Sequence, residues 1–273
     1  MKRHPQYTNL LLFDLLDKEK DIVHFSTTRI GGVSNGTYSS FNMGNFSDDD
    51  PLNIFENRNI LSRMFYMDIS KFIIPHQTHG TRVLKIDEEF MGLDSTSAIE
   101  IMYGVDATIS NLKGIFLCAT TADCVSIIIY DKVKEVIAAI HAGWKGTSGR
   151  IVQNTILEMQ KQYDSNPADM IACIGPAIDV THYEVGDEIV DLFSKNGFNV
   201  SDPELCFRNQ TSSKYHLNLK EINRRELVRL GLIENNIEIT DMCTYSMQEL
   251  FFSARRQTVH SGRMLTGIMM KDN

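Results

Sequence analysis

The sequence lacks an uninterrupted apolar run close to the roughly 20 residues that a membrane-spanning helix needs. The first apolar piece, residues 10–13, is short, is followed by Asp14 and Asp17, and has no small-residue cleavage site behind it. We therefore expect neither a membrane span nor a signal peptide.

Positive charge is also in short supply. The chain has 27 Lys and Arg against 35 Asp and Glu, which gives a net charge of −8 and a sequence pI near 5.5. This sign does not favour broad binding to nucleic acid or to anionic membranes, although it is compatible with a local basic pocket. We expect no nucleic-acid partner and no membrane partner.

Cysteines are few, and linkers are missing. The five cysteines are an odd number and are widely spaced, which indicates reduced thiols in a cytoplasmic protein rather than a disulfide framework. No Pro-, Ser- or Gly-rich linker, charge block or internal repeat divides the 273 residues. A chain of this length can bury a large core, so we expect one domain that covers residues 1–273.

Helix and strand patterns alternate along the chain. Asp50 and Pro51 are typical of a helix start, and apolar stripes predict further helices after Gly149, before Asn196-Gly197 and before Gly231. Strand-like runs occur at residues 72–75, 115–120, 125–130, 136–141, 170–174 and 263–270. This alternation predicts a single α/β domain with at least one large sheet.

Three residues carry side chains suited to a catalytic metal: His79, Cys124 and His141. His79 and Cys124 follow predicted strands, His141 ends one, and each lies beside a glycine or a tight polar turn. If residues 131–134 join two strands as an antiparallel hairpin, Cys124 and His141 lie at the same end of it. Two imidazoles and a thiolate can bind zinc and leave its fourth position open for chemistry. Their convergence would indicate a small hydrolytic or group-transfer enzyme.

Other interpretations of these residues are open. A single His or Cys is most often a buried core residue, and the spacing matches no standard zinc-finger pattern. His76 lies in the same segment as His79, and spacing alone does not decide between them. Cys124 could also act without metal, as a nucleophile with His141 as its base.

Many short motifs occur in an order that resembles a known family over nearly the whole chain. They are FSTTRIGGVS at residues 25–34, FNMG at 41–44, ENR at 56–58, QTHG at 77–80, DA at 106–107, TADC at 121–124, HAGWKG at 141–146, IGP at 174–176, YEVG at 183–186, FFSARR at 251–256 and GR at 262–263. The family is that of the laccase-domain or multicopper polyphenol oxidase proteins, more recently described as purine nucleoside phosphorylases.

The resemblance implies both a site and a fold. Its zinc ligands correspond here to His79, Cys124 and His141, which favours His79 over His76. It implies an α-β-β-α sandwich with mixed sheets, as a monomer or homodimer. Three positions depart from the family pattern without removing a ligand: Lys145 stands where Arg is common, Ser126 where Pro is common, and Ala254 where Tyr is common.

The resemblance also implies the reactions. They are phosphorolysis of adenosine, inosine and methylthioadenosine to base and ribose 1-phosphate, and deamination of adenosine to inosine. Phosphate is then a co-substrate, and Zn²⁺ is the expected metal. Cu²⁺ is a substitute that such ligands would accept, because it binds most nitrogen and sulfur sites more tightly than zinc does.

Candidate roles follow from this chemistry. Arginine binds phosphate well, which makes Arg29, Arg255, Arg256 and Arg263 candidates for holding phosphate, with Arg29, Arg255 and Arg263 expected to bind substrate and Arg29 also to take part in catalysis. Asn42 could bind ribose hydroxyls. Each of these residues has a structural alternative, a surface charge for the arginines and a turn cap for Asn42.

Deamination adds a requirement for a proton shuttle. Zinc-bound water needs a carboxylate beside the metal, and Asp123 and Asp106 are the candidates, with Asp106 also a candidate for contact with substrate. Either acid could instead be a structural turn residue. The remaining catalytic candidates are Cys124 and His141.

Phenol oxidation by several coppers is a third interpretation. Multicopper sites need many imidazoles, typically in His-x-His pairs. The sequence has eight histidines and no His-x-His pair, which disfavours this chemistry.

Overall fold

Strands form the centre of the structure, a computed structural model that describes residues 1–45 and 47–272. Within these residues the strands are β1 Lys2–Arg3, β2 Leu10–Leu12, β3 Ile22–Thr27, β4 Phe72–Ile73, β5 Arg82–Lys85, β6 Val105–Ser110, β7 Phe116–Thr121, β8 Val125–Asp131, β9 Val136–Ala142, β10 Met170–Ile174, β11 Glu184–Val185, β12 Cys206–Arg208, β13 Tyr215–Leu217, β14 Ile237–Ile239 and β15 Met264–Met270. The α-helices of the same residues are α1 Pro51–Met64, α2 Glu88–Met91, α3 Ser95–Met102, α4 Trp144–Ser148, α5 Ile151–Tyr163, α6 Asp187–Lys195, α7 Leu219–Arg229 and α8 Ala254–Gln257.

Two six-stranded sheets and one small sheet are formed by the described residues. The first large sheet has the order β1-β2-β3-β15-β7-β4, and the second has β14-β10-β8-β9-β6-β5. Neighbours are antiparallel except at the edges, where β4 pairs parallel with β7, β5 with β6 and β14 with β10. The small antiparallel sheet has the order β11-β13-β12. Mixed sheets were expected and are confirmed.

Alternate residues of β8 belong to two different apolar layers. Ile128 and Tyr130 pack between the two large sheets, together with Leu117 of the first sheet. Ile127 and Ile129 pack on the other face of β8 with residues of α5 and α7. A third cluster packs α1 against the outer face of the first sheet. The order is therefore helix, sheet, sheet, helix, and the predicted α-β-β-α sandwich of a single α/β domain is confirmed.

Local signals in the sequence fix several element ends. The carboxylate of Asp50 accepts the N–H of Leu52 at 2.9 Å and caps α1, as predicted. Gly197 and Gly231 adopt left-handed conformations just after α6 and α7, with φ of +79° and +104°. No helix in the described residues is long and apolar enough to cross a membrane.

Predicted strand bounds are close but not identical to those observed. Residues 170–174 form β10 as predicted, whereas β4 covers only Phe72–Ile73 of the predicted 72–75. Pro75 has no N–H to donate, so the ladder with β7 cannot continue through it. The chain leaves the sheet there and enters the loop that carries His79.

Candidate metal centre and cavity

The β8–β9 hairpin brings Cys124 and His141 together. The two strands pair antiparallel, with Ser126 opposite His141, and Cys124 immediately precedes β8. The far end turns directly after Asp131, whose carboxylate accepts the N–H groups of residues 133 and 134. The predicted hairpin is confirmed, and it places the thiol and the imidazole at its open end.

His79 joins them from the loop that follows β4. The ligand atoms of His79, Cys124 and His141 all lie within 4.8 Å of one another. His79 is exposed, Cys124 is partly exposed and His141 is buried, so the group lies at the inner end of an opening to solvent. The structure therefore brings the three predicted residues together.

His76 lies elsewhere. It forms a β-bridge with Tyr103, and its ring packs against the edge of the Tyr103 ring at 4.7 Å. It lines a different depression, between α1 and α3. Of the two histidines that the spacing could not separate, His79 is the one at the metal group.

Glycine at position 143 is required by the closeness of two ligands. A Cβ atom there would lie 2.8 Å from Cδ2 of His79 and 3.0 Å from Sγ of Cys124. Real Cβ atoms essentially never show the first distance and seldom the second, so a side chain here would displace the His79 ring. The motif HAGW thus supplies one candidate ligand, His141, and a glycine whose missing side chain leaves room for the other two.

The carboxylate of Asp106 forms hydrogen bonds with two of the three candidate ligand residues. Its Oδ1 lies 2.8 Å from Nδ1 of His141 and accepts the N–H of His79 at 3.0 Å. Its Oδ2 accepts the N–H groups of Thr78 and Gly80 at 3.2 and 2.7 Å. The carboxylate is buried and does not line the cavity, unlike the substrate contact that the sequence suggested.

The charges at the site stabilise one another. Burial would raise the pKa of Cys124, but the charge and hydrogen bond of His141, with a hydrogen bond to His79, lower it. Burial would lower the pKa of His141, but Cys124 and Asp106 raise it. The pKa of Asp106 is lowered against its burial by His141 and by the N–H groups of Gly80 and Thr78. A thiolate, the form that binds metal or attacks carbon, is thereby favoured.

The donor set suits a metal ion. A metal-bound histidine commonly donates its other ring nitrogen to a carboxylate, and His141 does so to Asp106, which leaves Nε2 for the ion. Among the described residues, His79, Cys124 and His141 form a cluster whose ligand atoms lie close enough together to hold a metal ion. The group could therefore bind a metal ion with one coordination position left open.

The ligands form part of the wall of a cavity of about 450 Å³. Its other lining residues come from several segments: Gly44, Gln77, Thr120, Thr121, Ala122, Asp123, Tyr183, Ala254, Arg255 and Arg263. Pockets that bind drug-sized molecules have volumes of this order, roughly 300–1,000 Å³.

Asp123 lines the cavity, but donors occupy both of its oxygens. Its Oδ1 accepts the hydroxyl of Thr244 at 2.6 Å, and its Oδ2 accepts the hydroxyl of Ser253 at 2.9 Å and the N–H of Arg255 at 2.6 Å. Its backbone is left-handed, with φ of +84°. Asp123 thus fixes the segment that supplies Ala254 and Arg255 next to Cys124.

Arg263 forms no salt bridge among the described residues. Its Nη1 donates to the carbonyls of Ser261 and Gly262 at 2.5 and 3.0 Å, and no carboxylate among the described residues pairs with it. Burial lowers its pKa, while the negative charges of Cys124 and Asp123 raise it. A largely buried guanidinium with free donors on a cavity wall is suited to an anion.

The FNMG segment supports Arg263 rather than forming the wall by itself. Oδ1 of Asn42 accepts the N–H of Arg263 at 2.9 Å, while its amide nitrogen donates to Ser47 and Asp49. Asn42 is fully buried and does not line the cavity. A Cβ on Gly44 would lie 2.6 Å from Cγ of Arg263, so this glycine makes room for the arginine stem.

Arg255 and Tyr183 form a second part of the wall. The guanidinium carbon of Arg255 lies 5.2 Å from the centre of the Tyr183 ring, and its Nη2 donates to the carbonyl of Glu184 at 2.9 Å. Arg255, a candidate for binding substrate, lies at the cavity. Tyr183 was visible in the sequence only as part of the YEVG motif, without a role.

Arg29 lies outside this cavity. Its Nε donates to the carbonyl of Ser39 at 2.8 Å and its Nη1 to that of Gln248 at 3.1 Å, and its guanidinium covers the Phe252 ring. It lines a separate, open depression. The structure therefore separates Arg29 from the metal group with which the sequence associated it.

Comparison with known proteins identifies the family. The family model described as "Multi-copper polyphenol oxidoreductase laccase" matches residues 23–271. The chain belongs to this family. It is 40% identical over 261 residues to "Purine nucleoside phosphorylase" of Bacteroides thetaiotaomicron, with 96% of each chain covered.

Two further members of the laccase-like family extend the comparison. "Adenosine deaminase RL5", from an unknown prokaryotic organism, is 38% identical, with 94% of this chain and 97% of the relative covered. The crystal structure of a hypothetical protein, YfiH, from Bacillus licheniformis superposes with a TM-score of 0.89 at 30% identity, with 98% of both chains covered. The relatives' names support a nucleoside-processing enzyme.

Proposed function

We propose that this chain is a zinc-dependent purine nucleoside phosphorylase. Its substrates would be adenosine, inosine and methylthioadenosine together with phosphate, and its products the base and ribose 1-phosphate. The observation that carries the proposal is the unpaired guanidinium of Arg263 in the same cavity as His79, Cys124 and His141. We further propose one domain over residues 1–273 that works in the cytoplasm as a monomer or homodimer, without nucleic-acid or membrane partners.

The phosphate site follows from the charge of the cavity. A largely buried cation without a direct salt-bridge partner is costly, and a bound phosphate would reduce that cost at Arg263. Arginine can hold two phosphate oxygens at once, which fixes the orientation of the nucleophile. Arg255, anchored through Glu184, supplies a second positive charge at the same wall.

His79, Cys124 and His141 would hold the zinc ion. When bound, zinc supplies a Lewis acid that can polarise the purine or its substituent. The protein itself keeps this centre in shape: Asp106 fixes the His79 loop and the His141 ring, and Gln77 pins the same loop through paired bonds to Thr120 at 2.7 and 2.8 Å.

Deamination of adenosine to inosine is proposed as a secondary activity, in line with the name of RL5. It needs a carboxylate beside the metal that can move a proton. Asp123 is the only carboxylate among the described residues of the cavity wall, and three donors already occupy it. Proton transfer through it would require breaking these bonds, so we place phosphorolysis first.

A second candidate function rests on the same residues without metal. Cys124, His141 and Asp106 have the order nucleophile, base and orienting carboxylate, with His141 bonded to Asp106 at 2.8 Å. Such a group could hydrolyse an amide or ester. Stoichiometric labelling of Cys124 by iodoacetamide in metal-loaded protein would favour this candidate, because a thiolate on zinc is shielded.

The test of the proposed function joins metal analysis with product analysis. Protein is analysed for zinc and copper, then incubated with adenosine or inosine, with and without phosphate, and the bases are separated by chromatography. We expect one zinc per chain and release of base that depends on phosphate. Cys124→Ala should lose both, whereas Cys206→Ala, at a buried cysteine in β12, should lose neither. Full turnover by Cys124→Ala with its zinc retained would contradict the proposal.

A further inference from the structure

Tyr183 is part of the cavity wall, and its hydroxyl has no hydrogen-bond partner in the protein among the described residues. The residue lines the cavity together with Cys124 and Asp123, and none of the side-chain hydrogen bonds of the described chain uses its hydroxyl. The backbone is fixed on both sides of the ring: the Tyr183 N–H donates to Asp179 at 3.0 Å, and its carbonyl accepts the N–H of Leu217 at 3.2 Å. A partly buried, well-placed phenol without a partner is available to a ligand.

The Tyr183 ring is also held in place by Arg255, which is bonded to the residue next to Cys124. Asp123 accepts the N–H of Arg255 at 2.6 Å, and the Arg255 guanidinium stacks on the Tyr183 ring at 5.2 Å. The Arg255 side chain in turn donates to Glu184, the next residue after Tyr183. Tyr183 is thus positioned relative to Cys124 through the carboxylate next to that cysteine.

The other acidic group of the cavity wall cannot take over this role. Both carboxylate oxygens of Asp123 already accept hydrogen bonds from the protein, as described above, so they are not free to contact the base. Burial, together with the charges of Cys124 and Asp123, raises the pKa of Tyr183, although Arg255 opposes this. The phenol therefore remains a hydrogen-bond donor at neutral pH.

We propose that the Tyr183 hydroxyl donates a hydrogen bond to the departing purine during phosphorolysis. This inference rests on the proposed function. In the step, an oxygen of hydrogen phosphate forms a bond to C1′ of the ribose while the bond from C1′ to N9 breaks. The electron pair of the broken bond goes to the purine, which takes up the proton that the phosphate gives up. Tyr183 keeps its own proton and stabilises the negative charge that develops on the ring.

The role divides the cavity between the two reactants. Arg263 enters it from the residue before β15 of the first large sheet, and Tyr183 from the residue before β11 of the small sheet. One element thus supplies the cation for phosphate and another supplies the donor for the leaving base. A donor aimed at developing charge, rather than at charge already present, lowers the barrier more than it tightens binding.

The test compares two leaving groups in one variant. Tyr183→Phe keeps the ring and removes only the hydroxyl. Inosine leaves as a base that acquires negative charge, whereas 7-methylinosine carries a positive charge on its base and leaves as a neutral molecule. We expect kcat/KM for inosine to fall about 100-fold, the usual loss for a donor of this kind, and kcat/KM for 7-methylinosine to stay near the wild-type value.

Controls separate this role from a structural one. Tyr245→Phe removes a hydroxyl from a ring that likewise lies beside an arginine, Arg256, but outside the cavity, and should leave both substrates unaffected. An unchanged thermal unfolding midpoint of Tyr183→Phe would show that the fold is intact. Equal losses on both substrates, or no loss on either, would overturn the assignment of Tyr183. Wild-type protein that releases no base in the presence of phosphate would overturn the proposed function instead.

Discussion

Oδ1 of Asp106 lies 2.8 Å from Nδ1 of His141, and the same carboxylate accepts the N–H groups of residues 78–80. His79 and His141, two candidate metal ligands, are 62 positions apart in the sequence. Both are nevertheless held in place by the side chain of Asp106. The first prediction follows from this shared support.

Asp106→Asn should weaken metal binding. The amide would remove the negative charge that supports His141, and its NH₂ group would face N–H donors of the His79 loop. We expect zinc affinity to fall about 10- to 100-fold, the usual effect of losing such a partner, as measured by competition with a chelator. Asp131→Asn is the matched control, because Asp131 is a buried carboxylate that accepts backbone N–H groups at the far end of the hairpin. Equal zinc loss in both variants would mean that general destabilisation is the cause.

Arg263→Gln should weaken the use of phosphate. A hydrogen bond to a charged group is worth about 2 kcal/mol, so the KM for phosphate should rise about 30-fold in steady-state kinetics. Arg29→Gln is the comparison that decides between the two arginines. Arg29 donates to two backbone carbonyls outside the cavity, so its loss should leave the KM for phosphate unchanged. A rise with Arg29→Gln and none with Arg263→Gln would reverse the two roles.

Gly143→Ala should disrupt the metal group while leaving the fold intact. The added methyl would lie 2.8 Å from the His79 ring and 3.0 Å from the Cys124 sulfur, and the His79 side chain is exposed, so it can turn away without disturbing the core. We expect lost zinc on metal analysis with little change in the circular dichroism spectrum. Gly92→Ala is the control. A Cβ on Gly92 would lie 3.4 and 3.5 Å from its nearest neighbours, which is ordinary van der Waals contact, so this variant should retain zinc. Retention of zinc by Gly143→Ala would show that the ligands can spread without losing the ion.

His24 should make the protein less stable in acid. Its Nε2 accepts the N–H of Phe13 at 2.8 Å, which only the neutral ring can do, and burial lowers its pKa from 6.5 to about 4. Between these values the unfolded chain takes up the proton more readily than the folded one. The contribution of His24, about 3 kcal/mol, is therefore complete above pH 6.5 and is lost as the pH falls towards 4.

Urea unfolding at a series of pH values measures this dependence. His24→Gln places a non-titrating acceptor near the Phe13 N–H, and it should flatten the decline in the free energy of unfolding between pH 6.5 and 4. An unchanged slope in this variant would assign the acid sensitivity to other groups.

The parts of the site that lie close together in sequence were predictable. The hairpin signal of residues 125–141 is local, and strand pairing alone places Cys124 and His141 at one end. The α-β-β-α layers could be inferred only through the resemblance, because strand order depends on contacts between distant segments. The first large sheet, for example, inserts β15 from the end of the chain between β3 and β7.

The placement of the polar residues was harder to infer. Arg29 was associated with phosphate because of its glycine-rich surroundings, yet its guanidinium is bound by the carbonyls of Ser39 and of the distant Gln248. Asp106 was considered as a substrate contact or shuttle, but its partners are mostly backbone N–H groups, which no residue pattern reveals. A side chain's chemical type was visible in the sequence, whereas the direction in which it points was not.

The double attachment of Asp106 has a consequence for redesign of the centre. Exchange of His79 for a ligand that suits another metal would alter the loop geometry at residues 78–80, and the shared carboxylate would pass that change to the imidazole on β9. Redesign of the candidate metal centre would therefore require compensating changes on both segments at once.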